Sequence, residues 1–134
     1  MGASCLEDQP LIKLVFCLKR LPHLSLEEFQ TYWLETHGPL VRSHAAALKI
    51  RRYVQSHTTD NLGMNQAIAA SRGAPEGFDG VAELWWDSIE DFASGASTHE
   101  RREASRILLE DERRFIDHSR SPLWISVEHP IVER

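Results

Sequence analysis

Cysteine is scarce in this chain, with only Cys5 and Cys17 among 134 residues. The two lack the CxxC spacing of a zinc or redox pair. Cys17 falls inside an apolar run, where a small buried thiol is the usual reading. Long hydrophobic runs are missing as well. The longest, Leu14 to Leu18, is far too short to span a membrane, so no membrane partner is expected. Residues 1–10 carry no basic stretch followed by an apolar block, so no secretory signal is expected and cytoplasmic is the default. Surplus positive charge is also lacking: the net charge is −5. The paired arginines (Arg51-Arg52, Arg101-Arg102, Arg113-Arg114) sit beside acidic neighbours, which argues against nucleic acid as a partner. There is no G-x-G-x-x-G, P-loop or nucleophile elbow, so neither a nucleotide cofactor nor a Ser/His/Asp triad is expected.

What is present is an ordinary globular mix, 42% hydrophobic and 26% charged. The length suits one domain, placed at 11–129, with tails at 1–10 and 130–134. A chain of this size buries roughly two-thirds of its unfolded surface, enough for a core without metal or disulfide support.

Leu11 to Leu18 is short and rich in β-formers, which predicts a buried strand. Ser25 with Glu28 forms a capping box. Leu26, Phe29, Trp33 and His37 follow at helical spacing, one stripe of an amphipathic helix. Pro39 disfavours helix at Gly38, so the helix should stop or kink at His37, with Leu40 to Ala47 adding a further turn or two. Leu48 to Thr58 predicts a second strand, with Arg51, Tyr53, Gln55 and His57 on one face. The long irregular stretch 59–77, with a short helix at Met64 to Ser71, is the kind of connection that is usually functional or mobile. Asp79 to Trp86 predicts a third strand, with Val81, Glu83 and Trp85 on one face. Ser88 with Asp91 caps a short helix ending near Gly95. Ser97 with Glu100 suggests another capping box, opening a helix from His99 to about His118. Pro122 to Glu128 predicts the last strand.

The order strand–helix–strand–strand–helix–strand, joined by right-handed crossovers, gives an α+β ferredoxin-like βαββαβ fold. Its four-stranded antiparallel sheet carries both helices on one face. The other face carries Trp, Val and Tyr among polar groups, and such a face rarely stays exposed in a soluble monomer. A homodimer that closes two sheets into a barrel is therefore expected.

The segments Lys13-Leu14-Val15-Phe16, Leu24-Ser25-x-x-Glu28-Phe29 and Tyr32-Trp33-x-x-x-His37-Gly38-Pro39-Leu40 resemble the opening half of the EthD family. Arg52-Tyr53-Val54-Gln55-x-His57 and Phe78-Asp79-Gly80-Val81-Ala82-Glu83-Leu84-Trp85 are similar to its second and third strands. Asp111-Glu112-x-x-Phe115-Ile116-Asp117, followed by Ser121-Pro122, resembles its closing helix and last strand. Thr98-His99 departs from that pattern. The resemblance implies a dimeric α+β barrel with a pocket between sheet and helices, and no single reaction. Relatives range from accessory proteins of ether degradation to dehydratases or decarboxylases of polyketide aromatics, isomerases and cofactor-free monooxygenases.

Within that frame His37 is the foremost candidate for chemistry. It lies on the stripe facing the sheet, and an imidazole near neutrality serves as general acid or base. The alternative is a helix cap bonding a backbone carbonyl. His57 and Glu83 on neighbouring strands are expected to pair, either as a catalytic relay or as a structural or interface ion pair. Glu83 needs some partner in any case, because an unpaired buried carboxylate is costly. Phe16, Trp33, Tyr53, Gln55 and Trp85 are candidates for the walls of a pocket holding a small apolar or aromatic ligand, or else plain core. Arg51 and Arg52 could bind a substrate carboxylate or remain solvated. His99 and His118 read as surface. His37, His57 and Glu83 could in principle form a metal triad, but no tight ligand spacing supports it, and no metal or cofactor is expected. The leading expectation is a cofactor-independent lyase or isomerase. A ligand-binding accessory protein and a cofactor-free monooxygenase are the alternatives.

Overall fold

The computed structural model describes residues 11–59 and 63–134. Cys5 and the tail 1–10 lie outside the described residues, as do residues 60–62 of the 59–77 stretch. Strand β1 (Ile12–Leu18) leads to helix α1 (Leu26–Tyr32), a π-helical turn (Trp33–His37) and helix α2 (Gly38–His44). Strand β2 (Arg52–His57), helix α3 (Met64–Ser71) and strand β3 (Gly80–Trp86) follow. Helix α4 (Ile89–Ala93) runs into a 3-10 turn (Ser94–Ala96). Helix α5 (His99–Glu112), a 3-10 turn (His118–Arg120) and strand β4 (Leu123–Val127) close the chain. The sheet is antiparallel in the order β2-β3-β1-β4, the expected ferredoxin-like layout.

Local chemistry accounts for most of the boundaries. The Ser25 side chain accepts from Glu28 N–H while the Glu28 carboxylate accepts from Ser25 N–H, so the capping box opens α1 as expected. Ser88 caps α4 by accepting from Asp91 N–H. The cap of α5 is Thr98, accepting from Arg101 N–H, not Ser97. That helix ends at Glu112, before His118, because Asp117 N–H bonds Lys19 O and pulls the chain back onto the end of β1.

Of the stop or kink expected at His37, the stop does not occur: the helix runs on through Gly38–His44, near the further turns expected from Leu40. A π turn absorbs the defect, with Gly38 N–H bonding Trp33 O five residues back, and α2 then carries Pro39 in its first turn, where a missing N–H costs nothing.

Phe16, Leu18 and Ala82 face Phe29, Trp33, Phe115 and Ile116 to form the main core between sheet and helices. A second cluster of Val41, Leu48, Ala104 and Leu108 joins α2 to α5. The helix-covered side of the sheet continues onto β4, where Leu123 remains 53% exposed. Among the described residues, both core clusters join helices to that side of the sheet and neither puts a helix on the other. Val15, Val54 and Val81 are half-buried there, and Trp124 is 48% exposed. Cys17 is on that side too, and burial pushes its thiol pKa up, as suits an inert packing residue.

Candidate functional site

His37 emerges from the π turn pointing into the interior, 5% exposed, with its ring 5.0 Å from that of Phe115. Its Nδ1 lies 2.8 Å from Oδ2 of Asp111, itself only 2% exposed. The ring is thus bound by a carboxylate, not the backbone carbonyl expected of a helix cap. Asp111 also accepts from the Tyr32 hydroxyl at 2.5 Å and from Arg114 Nη1 at 3.0 Å. Burial pushes the Asp111 carboxyl pKa up. The donors Tyr32, His37 and Arg114 and the nearby imidazole charge outweigh burial and hold it below 3.8. Among the described residues His37 Nε2 makes no hydrogen bond. A histidine pinned through Nδ1 by a carboxylate, with Nε2 unpaired among the described residues, can accept or donate a proton there.

Next to it lies a second network. The π turn leaves Trp33 O within reach of the sheet, and Gln55 Nε2 donates to it at 2.9 Å. That bond orients the amide. Its other N–H goes to the Tyr53 hydroxyl at 2.9 Å, and Oε1 is left facing His57 Nε2 at 2.7 Å. His57 therefore carries its proton on Nε2 and presents Nδ1. It stacks on Trp33 with centroids 4.4 Å apart, and burial lowers its pKa below the ordinary 6.5. Trp33 Nε1 donates to the Tyr53 hydroxyl at 3.2 Å, and burial raises the Tyr53 pKa.

The structure corrects the expected pairing of His57 with Glu83. Val54 pairs with Glu83 across β2 and β3, and His57 pairs with Gly80. Side chains alternate along a strand, so Glu83 shares the uncovered side with Val54 while His57 faces the helices. The partner of Glu83 is Lys13 at 2.6 Å, which also reaches Glu128. Trp85 faces the same uncovered side, buried against the Arg52 guanidinium and donating Nε1–H to Glu128, so it is not a wall of a pocket beside His37. His37, His57 and Glu83 do not converge. Among the described residues no group of three His, Cys, Asp or Glu is placed to hold a metal ion.

Of the other candidates, Phe16 and Trp33 are core. Tyr53 and Gln55 line a groove of about 410 Å³ between α2 and the β2 edge, with Leu34, Gly38 and Val41 on its helical wall. His37 does not line that groove. Asp111 was missed by sequence reasoning, yet a signal existed. Ala104, Leu108, Asp111 and Phe115 recur at helical spacing and all are buried. An acid on an apolar stripe needs a partner inside.

The family model for the EthD domain matches residues 21–119. Comparison with curated protein sequences gives no match. Among solved structures, an EthD-family protein from Bacillus halodurans superposes with a TM-score of 0.58 at 19% identity, covering 89% of this chain and 99% of that one. A hydroxynitrile lyase from Passiflora edulis gives 0.57 at 10% identity, covering 92% and 98%. A dimeric ferredoxin-like protein of unknown function from Bacteroides fragilis gives 0.56 at 13% identity, covering 90% and 98%. At these identities the structures establish the fold. The family match spans both the π turn with His37 and the α5 position of its partner Asp111, and the chain belongs to the EthD family.

Proposed function

We propose that this chain is a cofactor-independent lyase or isomerase, dehydratase- or decarboxylase-like, acting on a small aromatic or polyketide-type molecule. The observation that carries this is the His37–Asp111 pair: a buried carboxylate fixes Nδ1, and Nε2 has no hydrogen-bond partner among the described residues. Nε2 takes a proton from a carbon next to a carbonyl. The imidazolium, balanced by Asp111, returns it to a departing oxygen in an elimination or to a neighbouring carbon in an isomerisation. That a hydroxynitrile lyase shares the fold supports a lyase on this architecture. His57 and Glu83, lacking a shared face, have no joint role in this scheme. The working unit is a single domain over 11–129 in a homodimer closed through the uncovered side of the sheet. Three fold neighbours that are themselves dimeric support this assembly.

The test is the base-promoted ring opening of 5-nitrobenzisoxazole, a small aromatic whose only demand is proton abstraction from carbon. The protein should exceed the rate of equimolar free imidazole. His37→Asn, whose amide N–H stands where Nδ1 does and so keeps the donor for Asp111 but cannot carry the proton, should lose about 10²–10⁴-fold. His37→Asn at the wild-type rate removes His37 from the mechanism. Ligand binding with no acceleration points instead to an accessory binding protein.

A further inference from the structure

The groove between α2 and the β2 edge is chemically lopsided. Arg42, Arg51 and Arg52 line it and no carboxylate does, in a chain whose net charge is −5. The three arginines are not equivalent. Arg52 stacks its guanidinium 4.5 Å from the Trp85 ring on the uncovered side of the sheet. Arg51 shares an exposed ion pair with Asp87, at 3.0 Å. Arg42 makes no ion pair among the described residues, which leaves its charge for whatever enters the groove. The floor supplies a second donor. The Tyr53 hydroxyl oxygen accepts from both Trp33 Nε1 and Gln55 Nε2, which uses its two lone pairs. Its own O–H is therefore left to donate, and burial keeps it protonated. The remaining wall is apolar, formed by Leu34, Val41 and Ile50. A volume of about 410 Å³ is of the size that takes a small molecule.

We infer that this groove binds a small aromatic or alicyclic carboxylate, its ring against Val41 and Ile50 and its carboxylate between Arg42 and the Tyr53 hydroxyl. A guanidinium and a phenolic O–H together match the two oxygens of a carboxylate, and charge-assisted hydrogen bonds are the strong kind. A neutral amide of the same shape keeps the apolar contacts but loses the charge. Selectivity between the two is thus the signature of the site. The groove is not lined by His37, so the inference concerns binding alone and stands apart from the proposed reaction. Binding is measured without turnover, so either can fail alone.

The experiment is a ¹H–¹⁵N chemical-shift titration of the full chain with 2-naphthoate and, separately, 2-naphthamide. Saturable shifts should concentrate in residues 34–55 with the acid, and the amide should bind at least tenfold more weakly. Arg42→Gln should weaken 2-naphthoate about tenfold and leave the amide unchanged. Tyr53→Phe should likewise cost the acid more than the amide, while Arg72→Gln, an exposed arginine outside the groove, should cost neither. Equal affinity for acid and amide overturns the assignment. So does an Arg42→Gln variant with undiminished acid binding, or an absence of saturable shifts along α2 and β2.

Discussion

Asp111 is the residue on which the interior charge balance turns. Its carboxylate is enclosed, and three donors hold it in the ionised form with a lowered pKa. A carboxyl whose folded pKa is depressed adds stability above its ordinary value of 3.8, and that stability drains away as pH falls through the folded value. Asp111→Asn keeps the shape and removes the charge. We expect it to cost about 2–3 kcal/mol at pH 7, the scale of hydrogen bonds to a charged group, and progressively less as pH falls below 3.8. Urea unfolding across that acid range measures this; a variant whose stability falls as steeply in acid as the wild type's would show that Asp111 is not the linked group. His37 was legible in the sequence because a stripe and a proline mark it. Its partner was obscured by the charge of α5, where Glu100, Glu103, Glu110 and Glu112 look locally like Asp111. Only burial sets that carboxylate apart.

Among the elements, the π turn shows where local signals run out. Pro39 announced an interruption after His37 but not its form. A chain that needs Trp33 and His37 both directed inward can insert one wide turn and resume the helix, and tertiary packing chooses that over termination. The strands were easier: their alternation follows from composition, and β3 was legible to within a residue. The close contact of the π turn with β3 is built on Gly80. A Cβ there would land on the six-membered ring of Trp33 and within 3.0 Å of Ser56 O. The ring is fully buried and the carbonyl is backbone, so neither can give way cheaply. Gly80→Ala should therefore destabilise the fold by about 1–3 kcal/mol, the usual cost of overpacking. It should also shift the Trp33–His57 stack, seen as a change in tryptophan fluorescence. Denaturant unfolding with a wild-type midpoint would refute the tight fit.

For the whole molecule, what the sequence could not supply was which faces of adjacent strands lie together. The alternation of β2 and of β3 was each read correctly, but the pairing register decides that Glu83 travels with Val54 and away from His57. That same register sets Val54, Glu83, Val15 and Trp124 in one row across the side without helices, with Lys13 bridging Glu83 and Glu128 beside it. Half-buried valines, a paired central charge and an exposed tryptophan suit an interface, and the proposed homodimer buries them. Trp124 stands proud on β4, so in a two-fold dimer each copy contributes one ring. Trp124 is about half covered already, so burying the rest contributes about half of the 1.5–3 kcal/mol of a large side chain, and a two-fold interface loses it twice. Trp124→Asp should thus weaken the dimer by about one to two powers of ten. Light scattering after size exclusion should give twice the 15.3 kDa chain mass for the wild type at micromolar concentration and the single mass for the variant. The variant's helical content should stay unchanged, because Trp124 touches none of the helix-side core. A wild type that elutes as a monomer leaves the uncovered side of the sheet without its proposed occupant.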